Sequence, residues 1–523
     1  MSAVEPLADS YLDLWRHFDP AAASEAGPGE ADARLGDFTA EAVRRHVAAF
    51  RSLASALEGV AVETLADEID RTVLLDRIRG ILDRLEHERP HLRDPGFWLD
   101  HLIRALAALL VRPGEEAGAR AYAAARRIEA IPGFLDRARA TLRRPPALLV
   151  DEALTLLGPL GELLVRAAAE FGREAPGGPE ALNPSVAAAL EALTGFGTAL
   201  RDRIEPDPDP AGFALGERRL ERLLHQRHAV RAGVAELSRY AARMQEELEA
   251  ELARRARALA PGRSWRDLAT ELEAAAARDP VGHARSEIER ARRLLEERTA
   301  LSLPDEAVDV VETPAHLRFL VPEAGFGPIA VGPGAARLFV TPGAPSEPAL
   351  SLAVAREVFP GRYLLLRAAA GAPTTRVRRE LRSEVAVEGW ALYAQDWMAE
   401  LGFYRDPAAE LLRLARLLHA AVGLALDLGL HAGGLSPAQG VELLTSRLPL
   451  DRRRAEAEVR RAAARPGSAL APAVGRREIL RLRDRYAAGG AAASGDFHAR
   501  VLGSGPLPPE VVGWEMGVAA GAG

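Results

Sequence analysis

The sequence predicts a mainly α-helical protein built from many helices, with one small β-sheet in the middle of the chain. Three observations predict it. Apolar residues recur at three- and four-residue spacing over most of the length. After Pro304 the texture changes to short β-branched or apolar runs set among Gly and Pro. Helical texture returns near Pro348 and lasts to about Ala488.

Taken in order, the spacing predicts helices over Ala40–Leu57, Leu65–Glu88, Trp98–Val111 and Glu115–Ile131. Pro132-Gly133 and Pro145-Pro146 read as punctuation. Ala147–Phe171 and Ser185–Ile204 continue the helical pattern, and the acidic, proline-rich Glu205–Pro210 reads as a stiff linker. Two long helices follow, over about Gly216–Leu259 and Trp265–Leu301. Both carry Arg/Glu pairs at four-residue spacing, so each presents a solvated face. Val308–Glu312, Leu317–Val321 and Arg337–Thr341 are the expected strands. The small-residue stretches Gly489–Gly495 and Ala519–Gly523 read as loose. The regions are then 1–303, 304–345 and 346–523, read together as one integrated domain, 1–523.

Composition narrows the function classes. The chain has 523 residues and a net charge of -7, with 48% hydrophobic residues. A large core fits that length, and an acidic balance gives no footprint for nucleic acid. Every basic side chain other than His is Arg; there is no Lys. The absence of Cys removes disulfides, thiolate nucleophiles and Cys-ligated metal sites. The first twenty residues carry Glu5, Asp9, Asp13 and Arg16 and lack an apolar signal-peptide core. The most apolar stretch, Leu417–Leu435, is interrupted by His419, Asp427 and His431 and reads as a buried helix. A cytoplasmic protein with no membrane partner is the expectation.

His87-Glu88-Arg89-Pro90-His91 fits the zinc motif H-E-x-x-H by letter. Pro90 argues against it. Proline removes a helix hydrogen bond and pushes Arg89 out of the α region, so the helix should end near Glu88 and His91 should leave the face of His87. His225 and His228 lie on a highly charged helix and read as a solvated face.

The informative segment is Ala355-Arg356-Glu357-Val358-Phe359-Pro360-Gly361-Arg362-Tyr363, followed by Glu384-Val385-Ala386-Val387-Glu388-Gly389-Trp390-Ala391-Leu392-Tyr393. The pair resembles the bacterial family catalogued as domain of unknown function 885, itself similar to gluzincin metallopeptidases. That family's pattern is His-Glu-x-x-Pro-Gly-His, then Glu-Gly-Trp-Ala-x-Tyr. The resemblance implies a gluzincin-like, zincin-like fold. It also implies that two His and the later Glu bind zinc while the first Glu activates water.

On those positions this chain has Arg356 and Arg362 for the two His, with Glu357 and Glu388 retained. Leu365 stands where a Gln often follows. Further segments carry the resemblance along nearly the whole chain: Asp67-Glu68-Ile69-Asp70-Arg71, Glu312-Thr313-Pro314, Leu428-Gly429-Leu430-His431-Ala432, and Phe497-His498 with Gly505-Pro506-Leu507-Pro508. The family's late Arg-Tyr and Pro-Gly-Gln-Ala-Leu-x-Tyr appear as Arg461-Ala462 and Pro466-Gly467-Ser468-Ala469-Leu470-Ala471-Pro472, without either tyrosine or the Gln.

Arginine has no lone pair to give a metal. It does form bidentate bonds to carboxylates. The expectation is therefore a catalytically degenerate relative without zinc or another cofactor, possessing the vestigial base Glu357 and the vestigial ligand positions Arg356, Arg362 and Glu388. The arginines should pair with Glu357, Glu388 and Glu384. Pro360-Gly361 must distort the helix for Arg356 and Arg362 to point the same way. Glu384, Tyr363, His431, Arg461 and His498 are candidate pocket residues. The expected partner is a peptide or a small anionic ligand. Two alternatives stay open. One is a hydrolase using Glu357 as base, with the arginines binding an anionic substrate. The other is zinc held by histidines recruited from His316, His431 or His498.

Overall fold

A computed structural model describes residues 3–111, 117–173, 178–318, 330–332, 335–343, 346–371, 375–488 and 494–518. The chain is mainly helical and forms two compact units, the first mainly Met1–Phe213 and the second mainly Ala214–Pro314 with Ala335–Gly523. The division falls after Phe213, inside the stretch that the sequence reads as a single N-terminal helical region.

In the first unit, helices Ala40–Gly59, Leu65–Asp83, Pro95–Val111, Ala147–Gly172 and Asn183–Asp202 follow the predicted periodicity. Helix Ala117–Thr141 runs straight through Pro132, which the sequence reads as punctuation. Ile131, Phe134, Leu135 and Ala138 are buried on either side of it. Their burial outweighs the one backbone hydrogen bond that proline removes. Trp98 is buried among the rings of Phe38 and Phe134. Nearby, fully buried Arg127 donates to the carbonyls of Arg34, Ala105, Pro20 and Ala31, closing the N-terminal segments over the core.

The second unit holds the site. Each of its two predicted long helices breaks. The first becomes Glu217–His228 and Val234–Leu259. Ala229 adopts a left-handed conformation (φ 51°) and bonds back to His225 at 2.9 Å, while Val230 turns into the core beside Leu220 and Leu224. His228 is accordingly buried, with Nδ1 3.3 Å from the Ser383 hydroxyl, and does not lie on a solvated face. The second becomes Trp265–Ala274 and Pro280–Arg298, restarted by Asp279, whose carboxylate accepts from Gly282 N–H at 2.8 Å with Pro280 in the first turn.

Strands Val308–Glu312 and Ala335–Val340 pair in parallel, from Val308 opposite Ala336 to Glu312 opposite Val340. The short Ala330–Gly332 strand lies beyond the second. The expected strand Leu317–Val321 does not form at its start. Ala315–Leu317 is a 3₁₀ turn, and residues 319–321 lie outside the described residues. Of the stretches expected to be loose, 489–493 and 519–523 also lie outside them, while Ser494 and Gly495 begin helix Ser494–Ser504.

Helix Glu347–Glu357 packs on helices Pro280–Arg298, Glu384–Glu400 and Pro407–Ala432. Helix Glu384–Glu400 lies against Ala471–Ala488, and Val234–Leu259 against Pro407–Ala432. The last of these contains the apolar Leu417–Leu435 stretch up to Ala432 and is buried along most of its length. No helix among the described residues is long and apolar enough to cross a membrane.

Candidate functional site

Ser346 starts helix Glu347–Glu357 by accepting from Ala349 N–H, with Glu347 and Pro348 in the first turn. The helix stops at Glu357. Val358–Gly361 is non-helical, and a new helix, Arg362–Gly371, begins at Arg362. The distortion expected of Pro360-Gly361 is thus a full interruption. Gly361 is required there: a Cβ would sit 1.9 Å from the Arg356 carbonyl oxygen. The third element, Glu384–Glu400, is capped by Ser383. Its Trp390 indole N–H donates to the Pro360 carbonyl at 2.8 Å, tying the helix to the bend.

This arrangement brings Arg356, Glu357, Arg362 and Glu388 together. Arg356 donates to Glu388 Oε2 at 2.7 Å, and its Nε stands 3.3 Å from Glu357 Oε1. Arg362 donates to both Glu357 and Glu388. Two guanidinium groups therefore share two carboxylates in a closed ring of charge-assisted contacts. The Glu357 side chain is 5% exposed, while Arg356, Arg362 and Glu388 retain 24%, 22% and 24%.

Burial alone would push the Glu388 carboxyl up, but Arg362 and Arg356 outweigh it and hold it below the usual carboxylate range. Burial would likewise lower the Arg362 guanidinium, yet Glu357 and Glu388 raise it. Arg356 is lowered, by burial first and then by repulsion from Arg362.

The donor set does not fit zinc. Zinc takes imidazole, thiolate or carboxylate donors, and a guanidinium presents only N–H groups. Glu357 and Glu388 both accept from guanidinium groups. Among the described residues, no three His, Asp or Glu side chains converge so as to hold a metal ion.

The other singled-out residues take separate places. Glu384 does not join the ring; it faces Arg227 at 3.8 Å, and burial pushes its carboxyl up. Tyr363 is buried, with its ring edge-on to Phe359 at 5.5 Å. His431 is fully buried, with Nε2 2.9 Å from the Ala462 carbonyl. Arg461 is exposed near His419 and Glu458. His498 stacks on Trp397 at 3.5 Å and meets the Tyr393 hydroxyl at 2.8 Å, as part of an aromatic core. His316 lies in the first unit beside Glu170 and Arg166. The H-E-x-x-H lookalike is broken as Pro90 requires. A π-helical turn ends at Glu88, and Arg89 is left-handed (φ 52°), outside the extended region that a following proline favours. His91 is buried, and burial lowers its imidazole to about 4.

Two polar centres escape sequence reading. Asp427, fully buried, accepts from Gly467 and Leu470 N–H at 3.1 Å and shapes the loop before Ala471. Asp396 receives both Arg413 and Arg476. The only signal for Asp427 is an acid in an otherwise apolar run.

The Trp390 contact is testable. Trp390→Phe leaves the buried Pro360 carbonyl without its donor and opens space beside the bend. A loss of about 2 kcal/mol, measured by urea unfolding, is expected.

No curated protein matches this chain. Solved structures match it over nearly their whole length, among them the following two. One is a candidate lipoprotein of unknown function from Shewanella oneidensis, with 19% identity and a TM-score of 0.76, covering 99% of this chain and 100% of that one. The other is a candidate lipoprotein from Colwellia psychrerythraea, with 16% identity and a TM-score of 0.83, covering 99% of each. At such identities the likeness shows a shared fold. Neither description supports the cytoplasmic setting read from the N-terminal composition. The family model described as "Bacterial protein of unknown function (DUF885)" matches residues 20–516, and the chain belongs to that family.

Proposed function

We propose that this chain is a non-hydrolytic member of its family: a binding or regulatory protein on a gluzincin-like frame, with Arg356 and Arg362 in the electrostatic place of a metal. The observation that carries this reading is the closed ring itself. Both guanidinium groups reach Glu388, and both also reach Glu357. A general base needs a free carboxylate lone pair aimed at water or substrate. Glu357 is buried and faces two cations. The ring replaces a divalent ion's charge with two fixed monovalent ones, so the three helices keep their packing without a metal. A peptide or a small anionic ligand is the partner class.

A second reading draws on the exposure of the arginines. With 24% and 22% of their side chains open, Arg356 and Arg362 retain a solvent-facing edge that an anionic group of a substrate can approach.

Metal analysis of the purified protein, beside a peptide-hydrolysis screen, tests the main reading. The wild type is expected to hold zinc far below one ion per chain and to release no product. Arg356→His with Arg362→His is expected to gain zinc. Stoichiometric zinc in the wild type, or metal-free hydrolysis that Glu357→Gln abolishes, overturns it.

A further inference from the structure

A cavity of about 440 Å³ opens in the second unit between helices Val234–Leu259, Pro407–Ala432 and Pro437–Arg447. This volume falls in the usual range for small-molecule sites. It is made by small residues: Ala242 and Ala425 line it where larger side chains would fill it, and Gly429 lets Leu435 pack close, since an added Cβ would lie 2.4 Å from the Leu435 side chain. Val234, Leu428 and Leu435 give it apolar walls.

The polar lining is unequal in sign. Arg447 is engaged by Glu249 at 3.0 and 3.1 Å, so its charge is already matched. Glu246 is exposed at the rim and has no ion-pair or hydrogen-bond partner among the described residues. Gln245 is 7% exposed; its amide N–H₂ is directed to the Ala421 carbonyl at 3.5 Å, which leaves its carbonyl oxygen as an unused acceptor. Helix Pro407–Ala432 ends at this cavity and helix Val234–Leu259 begins at it, with the Val234 N–H taken up by Glu221 at 3.1 Å, so the two dipole ends offset and the side chains decide the sign. Ser238 adds a hydroxyl that donates or accepts. The charge in the lining is therefore set by one uncompensated carboxylate above an apolar floor.

We infer that this cavity binds a small amine with an apolar body, its ammonium group at Glu246 and Gln245 and its hydrocarbon part against Val234, Leu428 and Leu435. An anion of the same shape meets an unpaired carboxylate at Glu246, and no unmatched cation among the lining residues. The site lies apart from the Arg–Glu ring, and its occupancy does not depend on whether the ring is catalytic.

Isothermal titration calorimetry on the full chain, with 3-phenylpropylamine, 3-phenylpropanol and 3-phenylpropanoate, tests it. The amine is expected to bind at one site several-fold more tightly than the alcohol, and the carboxylate more weakly than both. Glu246→Gln should bring the amine to the level of the alcohol. Ala242→Trp, an exposed helix position that fills the cavity, should abolish binding of both, with circular dichroism confirming that each variant is folded. The inference fails if the carboxylate binds as well as the amine, if Glu246→Gln leaves the amine unchanged, or if no ligand binds. Binding that survives Ala242→Trp places the ligand elsewhere and also overturns it.

Discussion

Glu388→Ala is expected to cost about 3 kcal/mol of unfolding free energy, near the low end of the range for breaking a buried ion pair because the ring keeps partial solvent access. The reason is what remains. Glu388 Oε2 accepts from both Arg356 and Arg362. Without it, two neighbouring guanidinium groups share Glu357 alone, and the repulsion that already lowers Arg356 is no longer opposed by a second carboxylate. Removing one cation is milder: Arg356→Met leaves Arg362 bridging both carboxylates. Replacing all four residues with apolar side chains of similar volume should recover much of the loss, because no charge is then left unpaired.

The pH dependence has a definite sign. The Glu388 carboxyl lies below its ordinary value in the folded protein. Its contribution is therefore present above the unfolded carboxylate range, about 4.3, and is lost as pH falls through the lower folded value. The gap between wild type and Glu388→Ala should be full at neutral pH and narrow in acid. Urea unfolding series at several pH values measure both effects. A gap below about 1 kcal/mol at neutral pH would class the ring with ordinary surface pairs.

Much of this fold is legible in the sequence, and the exceptions have physical causes. Periodicity locates Ala40–Gly59, Ala147–Gly172 and Asn183–Asp202 to within a few residues, because each has a clear apolar face. It misses the interruption at Ala229–Gly233 because charged pairs continue on both sides, and the chain turns there through a non-glycine left-handed residue, which has no strong sequence signal. The restart at Asp279-Pro280 does have one: an N-cap acid before a first-turn proline. Charge periodicity masks it. At the site, the chemistry of Arg and Glu makes the pairing of Arg356 and Arg362 with Glu357 and Glu388 readable. Glu384 is different. One helical turn before Glu388 on the same face, it turns instead to Arg227, which comes from a helix more than a hundred residues upstream. Only the tertiary fold supplies that neighbour.

Gly475→Ala should be at least as damaging as losing Glu388, at about 3 kcal/mol or more, the upper end of the cost of overpacking. Helices Glu384–Glu400 and Ala471–Ala488 cross with Gly389 and Gly475 in contact. A Cβ at Gly475 would lie 1.9 Å from the Val385 carbonyl oxygen and 2.6 Å from the Gly389 Cα. A Cβ at Gly389 would lie 2.3 Å from the Gly475 backbone. These neighbours are main-chain atoms of packed helices, so no side-chain rotation relieves the clash and the helices must separate. Gly195→Ala is the control, since it sits mid-helix and the added carbon meets only the end of the Arg139 side chain, at an ordinary 3.6 Å. It should be neutral or stabilising by up to about 1 kcal/mol. Comparing thermal and urea midpoints of the two variants gives effects of opposite sign if the crossing sets the packing, and similar small effects if it does not. The outcome bears on how Glu388-Gly389-Trp390 is understood. Glu388 closes the ion ring, Gly389 permits the helix contact, and Trp390 holds the bend at Pro360. Each of these three residues then has a structural reason to be present, and their presence by itself is no argument for hydrolysis.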